Sequence, residues 1–113
     1  MKTKRLCSIL ALAAVPVIAW SQAAAPSGDP AAGQRKTQMC AGCHGIPGWR
    51  TAYPEVYGVP KIGGQHPAYI VRALQEYKSG ERGHPSMKAI AASLSEKDMA
   101  DLAAYYGGTA ASK

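Results

Sequence analysis

Cys40-Ala41-Gly42-Cys43-His44 is the stretch on which the reading of this chain turns. The order of these residues suits one piece of chemistry. Two thiols with two residues between them lie within a single turn of backbone, so both sulfurs reach one edge of one porphyrin and add across its two vinyl groups. A histidine placed directly after the second thiol brings its imidazole to the iron from the same face. The C-x-x-C-H pattern therefore predicts covalent attachment of a c-type haem. Haem iron in electron carriers takes a proximal His and a second axial ligand, often Met. A redox dithiol and a metal-binding pair are the alternatives. Zinc needs four N/S ligands, usually in paired clusters, and no second cysteine pair exists in the chain. A thioredoxin-like dithiol belongs beside a βαβ pattern, and the sequence has no sign of one.

Working outward, the N-terminus predicts export. Lys2, Lys4 and Arg5 precede an apolar run of 15 residues, Leu6 to Trp20, and Ser21-Gln22-Ala23 supplies small residues for a signal peptidase. A membrane-spanning helix needs about 20 apolar residues, and Pro16 interrupts this run. Residues 1–23 are thus expected to be a cleaved signal, with cleavage after Ala25 as the other option. Cys7 would leave with the signal, so the haem motif uses both remaining cysteines. The expected mature chain, residues 24–113, is one small domain with mobile ends at 24–28 and 108–113.

Loss of the signal changes the charge balance. Thirteen basic residues less Lys2, Lys4 and Arg5 leave ten against seven acids, a charge of +3 rather than the +6 of the whole chain. That is weak support for nucleic-acid binding, and none is expected. A chain of about 90 residues buries a small core, and a haem is a large apolar body for it to fold around. The motif does not recur, so one haem is expected.

Along the chain, Asp29-Pro30 is a helix start, with Asp as cap and Pro at the first position. This helix is expected to run to about Met39. Gly33 within it marks either a close helix approach or simple tolerance. Arg35 and Lys36 are expected to be solvated. Residues 45–60 hold Gly45, Pro47, Gly48, Pro54, Gly58 and Pro60, too many breakers for regular structure. Trp49, Tyr53 and Tyr57 within it predict a loop packed around the proximal side of the haem rather than left in water. A second helix is expected from His66-Pro67 to Ser79-Gly80, with Ile70, Ala73, Leu74 and Tyr77 on one face. Glu81 to Ser86 reads as a polar turn, with Met87 after it in a loop stiffened by Pro85. The last helix, Ser95 to Tyr106, opens with a Ser-x-x-Asp signal, carries Met99, Leu102, Ala103 and Tyr106 as a stripe, and stops at Gly107-Gly108.

Several blocks together resemble the class I c-type cytochromes. They are Asp29-Pro30-Ala31-Ala32-Gly33 ahead of the haem motif and Gly45, the run Pro60 to Ile70, and Met87 ahead of Leu94-Ser95 and Asp101 to Tyr106. The similarity is to small bacterial mono-haem cytochromes and to one half of the di-haem soluble ones. It implies an all-α cytochrome c fold of three to five short helices around one covalent haem c. It implies that Cys40 and Cys43 form the thioethers, that His44 is the proximal ligand and Met87 the distal one, and that the Pro60 carbonyl accepts a hydrogen bond from the far nitrogen of His44. Gly33 would lie where the first and last helices cross, against Leu102 and Tyr105. The aromatic that the family usually carries near Thr37 is missing here.

Five residues compete for the distal position: Met39, Met87, Met99, His66 and His84. Met39 adjoins Cys40 on the proximal side. Met99 falls on an apolar helix stripe, where Met is ordinarily core filling. His66 stands at a helix start. His84 shares a loop with Met87 and is its rival, while Met87 matches the family position.

The expected function is that of a periplasmic electron carrier. It would pass single electrons from a membrane or soluble dehydrogenase or quinol-oxidising complex to an oxidase or reductase. Its only partners would be redox proteins, with no span of the membrane after cleavage, and it would be a monomer and not an enzyme. Arg35, Lys36, Lys61 and Lys88 are candidates for docking such partners, and Glu96, Asp98 and Asp101 for an opposing acidic pole. A five-coordinate haem enzyme or gas sensor, and an electron-entry subunit of a larger dehydrogenase complex, are the other readings.

Overall fold

The computed structural model describes residues 27–52 and 56–108. The expected signal at 1–23, Tyr53 and residues 109–113 lie outside them. Five helices follow in order: α1 Pro30–Arg35, α2 Gln38–His44, α3 Pro67–Ser79, α4 Pro85–Ala92 and α5 Glu96–Gly107. Among the described residues there is no strand, only an isolated antiparallel bridge between Arg50 and Gly58. None of the helices among them is long and apolar enough to cross a membrane.

The frame is set by α5. Its start is a capping box: the Ser95 hydroxyl accepts from the Asp98 amide and the Asp98 carboxylate accepts from the Ser95 amide. Helix α1 crosses it at Asp101 and Tyr105, and α3 packs on it and on α4. Met99, Leu102, Ala103 and Tyr106 of α5, Ile70 and Val71 of α3 and Leu94 form the buried core. Helix α3 closes at Gly80 in the left-handed conformation, φ 88°, where a side chain would be strained.

Gly33 is buried at the α1–α5 crossing. A Cβ there would drive into the Asp101 carbonyl oxygen and crowd the Tyr105 Cβ, so this glycine is a close-approach residue rather than a tolerated one. Its nearest neighbours there are the Asp101 backbone and Tyr105. Gly28, expected in a mobile leader, approaches α5 equally closely, at the Ala100 carbonyl.

The first expected helix is two. Lys36 N–H donates to Gly33 O at 2.9 Å, which tightens the last turn of α1, and the Thr37 hydroxyl donates to Gln34 O at 2.8 Å. A hydroxyl that takes up a helix carbonyl competes with the next backbone bond. The chain therefore turns at Lys36–Thr37, and α2 starts afresh. The expected loop around Met87 is also corrected. Pro85 takes the first position of a helix, so Met87 rides on the first turn of α4.

Asp101 differs most from expectation. It is not part of an exposed acidic pole but wholly buried, 0% exposed. Its carboxylate accepts from the Asp29 amide at 2.8 Å and pairs with Lys36 at 2.8 Å and Lys97 at 3.1 Å. Lys36 also pairs with Asp98, so it is engaged within the fold rather than solvated.

Candidate functional site

Helix α2 is a single short stretch that sets Cys40, Cys43 and His44 in consecutive turns of backbone. Residues three and four apart share a helix face, which is why the two thiols and the imidazole line one cavity of about 460 Å³. The cavity lies within the range typical of ligand sites, and like them it is mostly apolar with a few placed polar groups. Ile70 and Leu74 come to it from α3, Met87 and Ile90 from α4, and Leu102 and Tyr106 from α5.

The His44 ring is fixed by the backbone. Its Nδ1 lies 2.7 Å from the Pro60 carbonyl oxygen. A carbonyl only accepts, so Nδ1 carries the hydrogen and Nε2 keeps its lone pair. Such an outer bond orients a metal-ligating imidazole and raises its basicity. Burial pushes the Cys40 thiol upward, partly offset by the Tyr106 hydroxyl. An activated catalytic thiol needs the reverse shift, which disfavours the dithiol reading. Among the described residues no cluster of three or more His, Cys, Asp or Glu side chains could hold a metal ion alone, which disfavours a zinc site.

Of the five candidates for the distal position, Met99 is buried in the core at 0% exposure and does not line the cavity. His66 stands exposed at the N-cap position of α3, with no side-chain capping bond, and is also outside the lining. Met39 lines the cavity from α2, the helix that carries His44. Met87 and His84 both line it from the start of α4.

The residue 46–59 loop is pinned by backbone bonds from Thr51 N to Tyr57 O and from Val59 N to Trp49 O, each 2.9 Å. It does not simply cover the His44 side: Tyr57 reaches His84, with ring centroids 4.8 Å apart. Trp49 remains 43% exposed, against the expectation that the loop aromatics are shielded. Arg82 went unnoticed in the sequence. Its guanidinium lines the cavity, donates to the Tyr69 hydroxyl at 3.0 Å and lies over the Tyr77 ring at 5.2 Å. The Ser79-Gly80 stop and the cation two residues beyond it were the available signal. Of the expected docking cations, Arg35, Lys61 and Lys88 are exposed.

Comparison with known proteins agrees with this geometry. The cytochrome c family profile matches residues 30–107. Cytochrome c4 of Thiocapsa roseopersicina is 41% identical over an alignment of 93 positions that covers 75% of this chain and 43% of that protein. Cytochrome c-554(548) of Halomonas halodenitrificans is 39% identical over an alignment of 83 positions that covers 71% of this chain and 95% of that one. The crystal structure of reduced recombinant cytochrome c4 from Pseudomonas stutzeri superposes with a TM-score of 0.54 at 32% identity, covering 73% of this chain and 50% of that one. The chain thus spans less than half the length of the cytochrome c4 sequence from Thiocapsa. A C-x-x-C-H helix, an apolar cavity that suits a porphyrin and a match across the helical domain lead to one conclusion: the chain belongs to the cytochrome c family, and its cofactor is covalently bound haem c.

Proposed function

We propose that this protein is an electron carrier of the bacterial periplasm, exported by the signal in residues 1–23, which passes single electrons between redox proteins and catalyses no reaction of its own. The observation that carries this reading is the convergence of Cys40, Cys43, His44 and Met87 on one apolar cavity. The donor set suits haem c: two thiols for thioether bonds, an imidazole and a thioether for the iron, and the Arg82 cation for the carboxylates of the porphyrin. The bound haem supplies one iron that gains and loses a single electron. Cys40 and Cys43 tether it to α2. The Pro60 carbonyl holds the His44 ring so that Nε2 is the ligating atom. Met87 offers a soft, uncharged sulfur that favours ferrous iron. With His44 and Met87 both holding the iron, no open position would be left on it for a substrate, and the mostly apolar lining would disfavour water.

The relatives named cytochrome c4 and c-554(548) support the carrier reading over a gas sensor or haem enzyme. The partners would be a donor and an acceptor protein, met through the exposed rim near the cavity. The test is the pair Met87→Ala and Met99→Ala. Met87→Ala should lose the weak red band of Met-ligated ferric haem and lower the reduction potential, while Met99→Ala keeps both. The opposite pattern would overturn the ligand assignment, and a high-spin parent spectrum would favour the enzyme.

A further inference from the structure

The two histidines at the cavity are held by the backbone in opposite senses. At His44 the partner is a carbonyl, so Nδ1 donates. At His84 the partner is an amide: the Met87 N–H donates to His84 Nδ1 at 3.3 Å. In a neutral imidazole one nitrogen accepts and the other carries the hydrogen. With Nδ1 of His84 accepting, Nε2 bears the hydrogen and has no lone pair to give a metal. His44 therefore presents a ligating nitrogen, and His84, which lines the same cavity, presents none.

We propose that His84 is not the rival ligand but the positioning residue of Met87. The inference rests on the assignment of Met87 as the distal ligand. His84 is the N-cap residue of α4, in an extended conformation with φ −161° and ψ 107°. The first turn of a helix has amides with no partner inside the helix. Pro85 has none to satisfy, and Met87 is the residue whose amide the His84 ring takes up. The bond thus acts on the backbone of the ligating residue itself. The ring is set from two other elements: Tyr57 at 4.8 Å and 49°, and Tyr77 of α3 at 6.3 Å and 79°. Tyr57 belongs to the same loop that ends in the Pro60 carbonyl. One loop thereby steadies His44 directly and Met87 through His84.

The experiment uses the haem-loaded protein and compares His84→Ala with His84→Asn. Asparagine is a favoured helix cap but carries no imidazole. Cyanide must displace Met87, so its apparent affinity reports how firmly the sulfur is held. In His84→Ala the red band should weaken and cyanide should bind about fivefold more tightly, the size of a typical lost N-cap. His84→Asn should return both readouts close to the parent. An Ala variant identical to the parent in band and cyanide affinity overturns the proposal. So does an Asn variant that loses the parent spectrum as fully as Ala does, since the bond to the Met87 amide would then not be what holds the sulfur. A parent without the red band sinks the Met87 assignment, and this inference with it. A parent with the band and a silent His84→Ala sinks the inference alone.

Discussion

The α1–α5 crossing and the cavity side of the molecule are built on different principles. At the crossing, backbone meets backbone. Gly28 and Gly33 let α1 approach α5 closely, and Asp101 receives a main-chain amide and two ammonium groups. Among the described residues no buried side-chain nitrogen or oxygen lacks a hydrogen-bond partner. Around the cavity, apolar side chains from α2, α3, α4 and α5 face a common space that only a large apolar body can cover. The crossing is closed by the chain alone, whereas the cavity side is completed by the haem. The buried core of Met99, Leu102 and Ile70 is the seam between the two.

The largest test of that contrast removes the tether. Cys40→Ser with Cys43→Ser should abolish haem-linked protein on a denaturing gel and leave an unfolded or degraded chain, because a small core cannot close without the haem. A stable, helical, haem-free product would show that the crossing suffices. Next, Met99→Ala at the seam should cost about 2–5 kcal/mol in denaturant unfolding without moving the haem spectrum. Gly33→Ala should cost about 1–3 kcal/mol by overpacking, again with an unchanged spectrum. A change in the spectrum would mean that the two halves are mechanically coupled.

The ion cluster gives a pH test of the crossing. Lys36 beside Asp101, then the Asp29 amide and Lys97, holds the Asp101 carboxyl well below the usual carboxylate range. A depressed folded-state pKa contributes stability that is present above the unfolded value, about 3.9, and is lost as pH falls through the folded value. Lys36 is raised, first by Asp101 and then by Asp98. Its contribution is present below about 10.4 and is lost as pH rises through the folded value. Thermal melts should therefore fall off below about pH 4 and above about pH 10. Asp101→Asn should start lower and show a flatter acid limb; an acid limb as steep as the parent's would place the titration elsewhere. The smallest effect belongs to the exposed Arg72–Glu76 pair on α3. Arg72→Ala should change stability by about 0.5 kcal/mol or less, in both urea and heat.

Local signals made part of this molecule legible in advance. The C-x-x-C-H motif carries its chemistry in five adjacent residues, and α3 and α5 announce themselves through Pro67, Gly80 and the Ser95–Asp98 box. What escaped depends on partners distant in the chain. Asp101 looks like any helix acid until α1 arrives with Lys36 and the Asp29 amide. Helix α4 is short and capped by histidine, which is not a usual cap residue, so Pro85 reads as a turn. The break at Lys36–Thr37 has no Gly or Pro to mark it; a hydroxyl taking a helix carbonyl is visible only in three dimensions. Arg82, in the turn after α3, acquires meaning from Tyr69 and Tyr77 of that helix.

The crossing also has a consequence in time. Helix α1 stands near the start of the domain and its partner α5 near the end. A polypeptide delivered N-terminus first, from a ribosome or through a membrane pore, presents Cys40, Cys43 and His44 well before α5 arrives. During that interval Asp101 has not met Lys36, and the attachment segment is an open strand of polymer. The crossing can close only once α5 has followed α1. The architecture thus leaves the thiols reachable first and joins α1 to α5 afterwards.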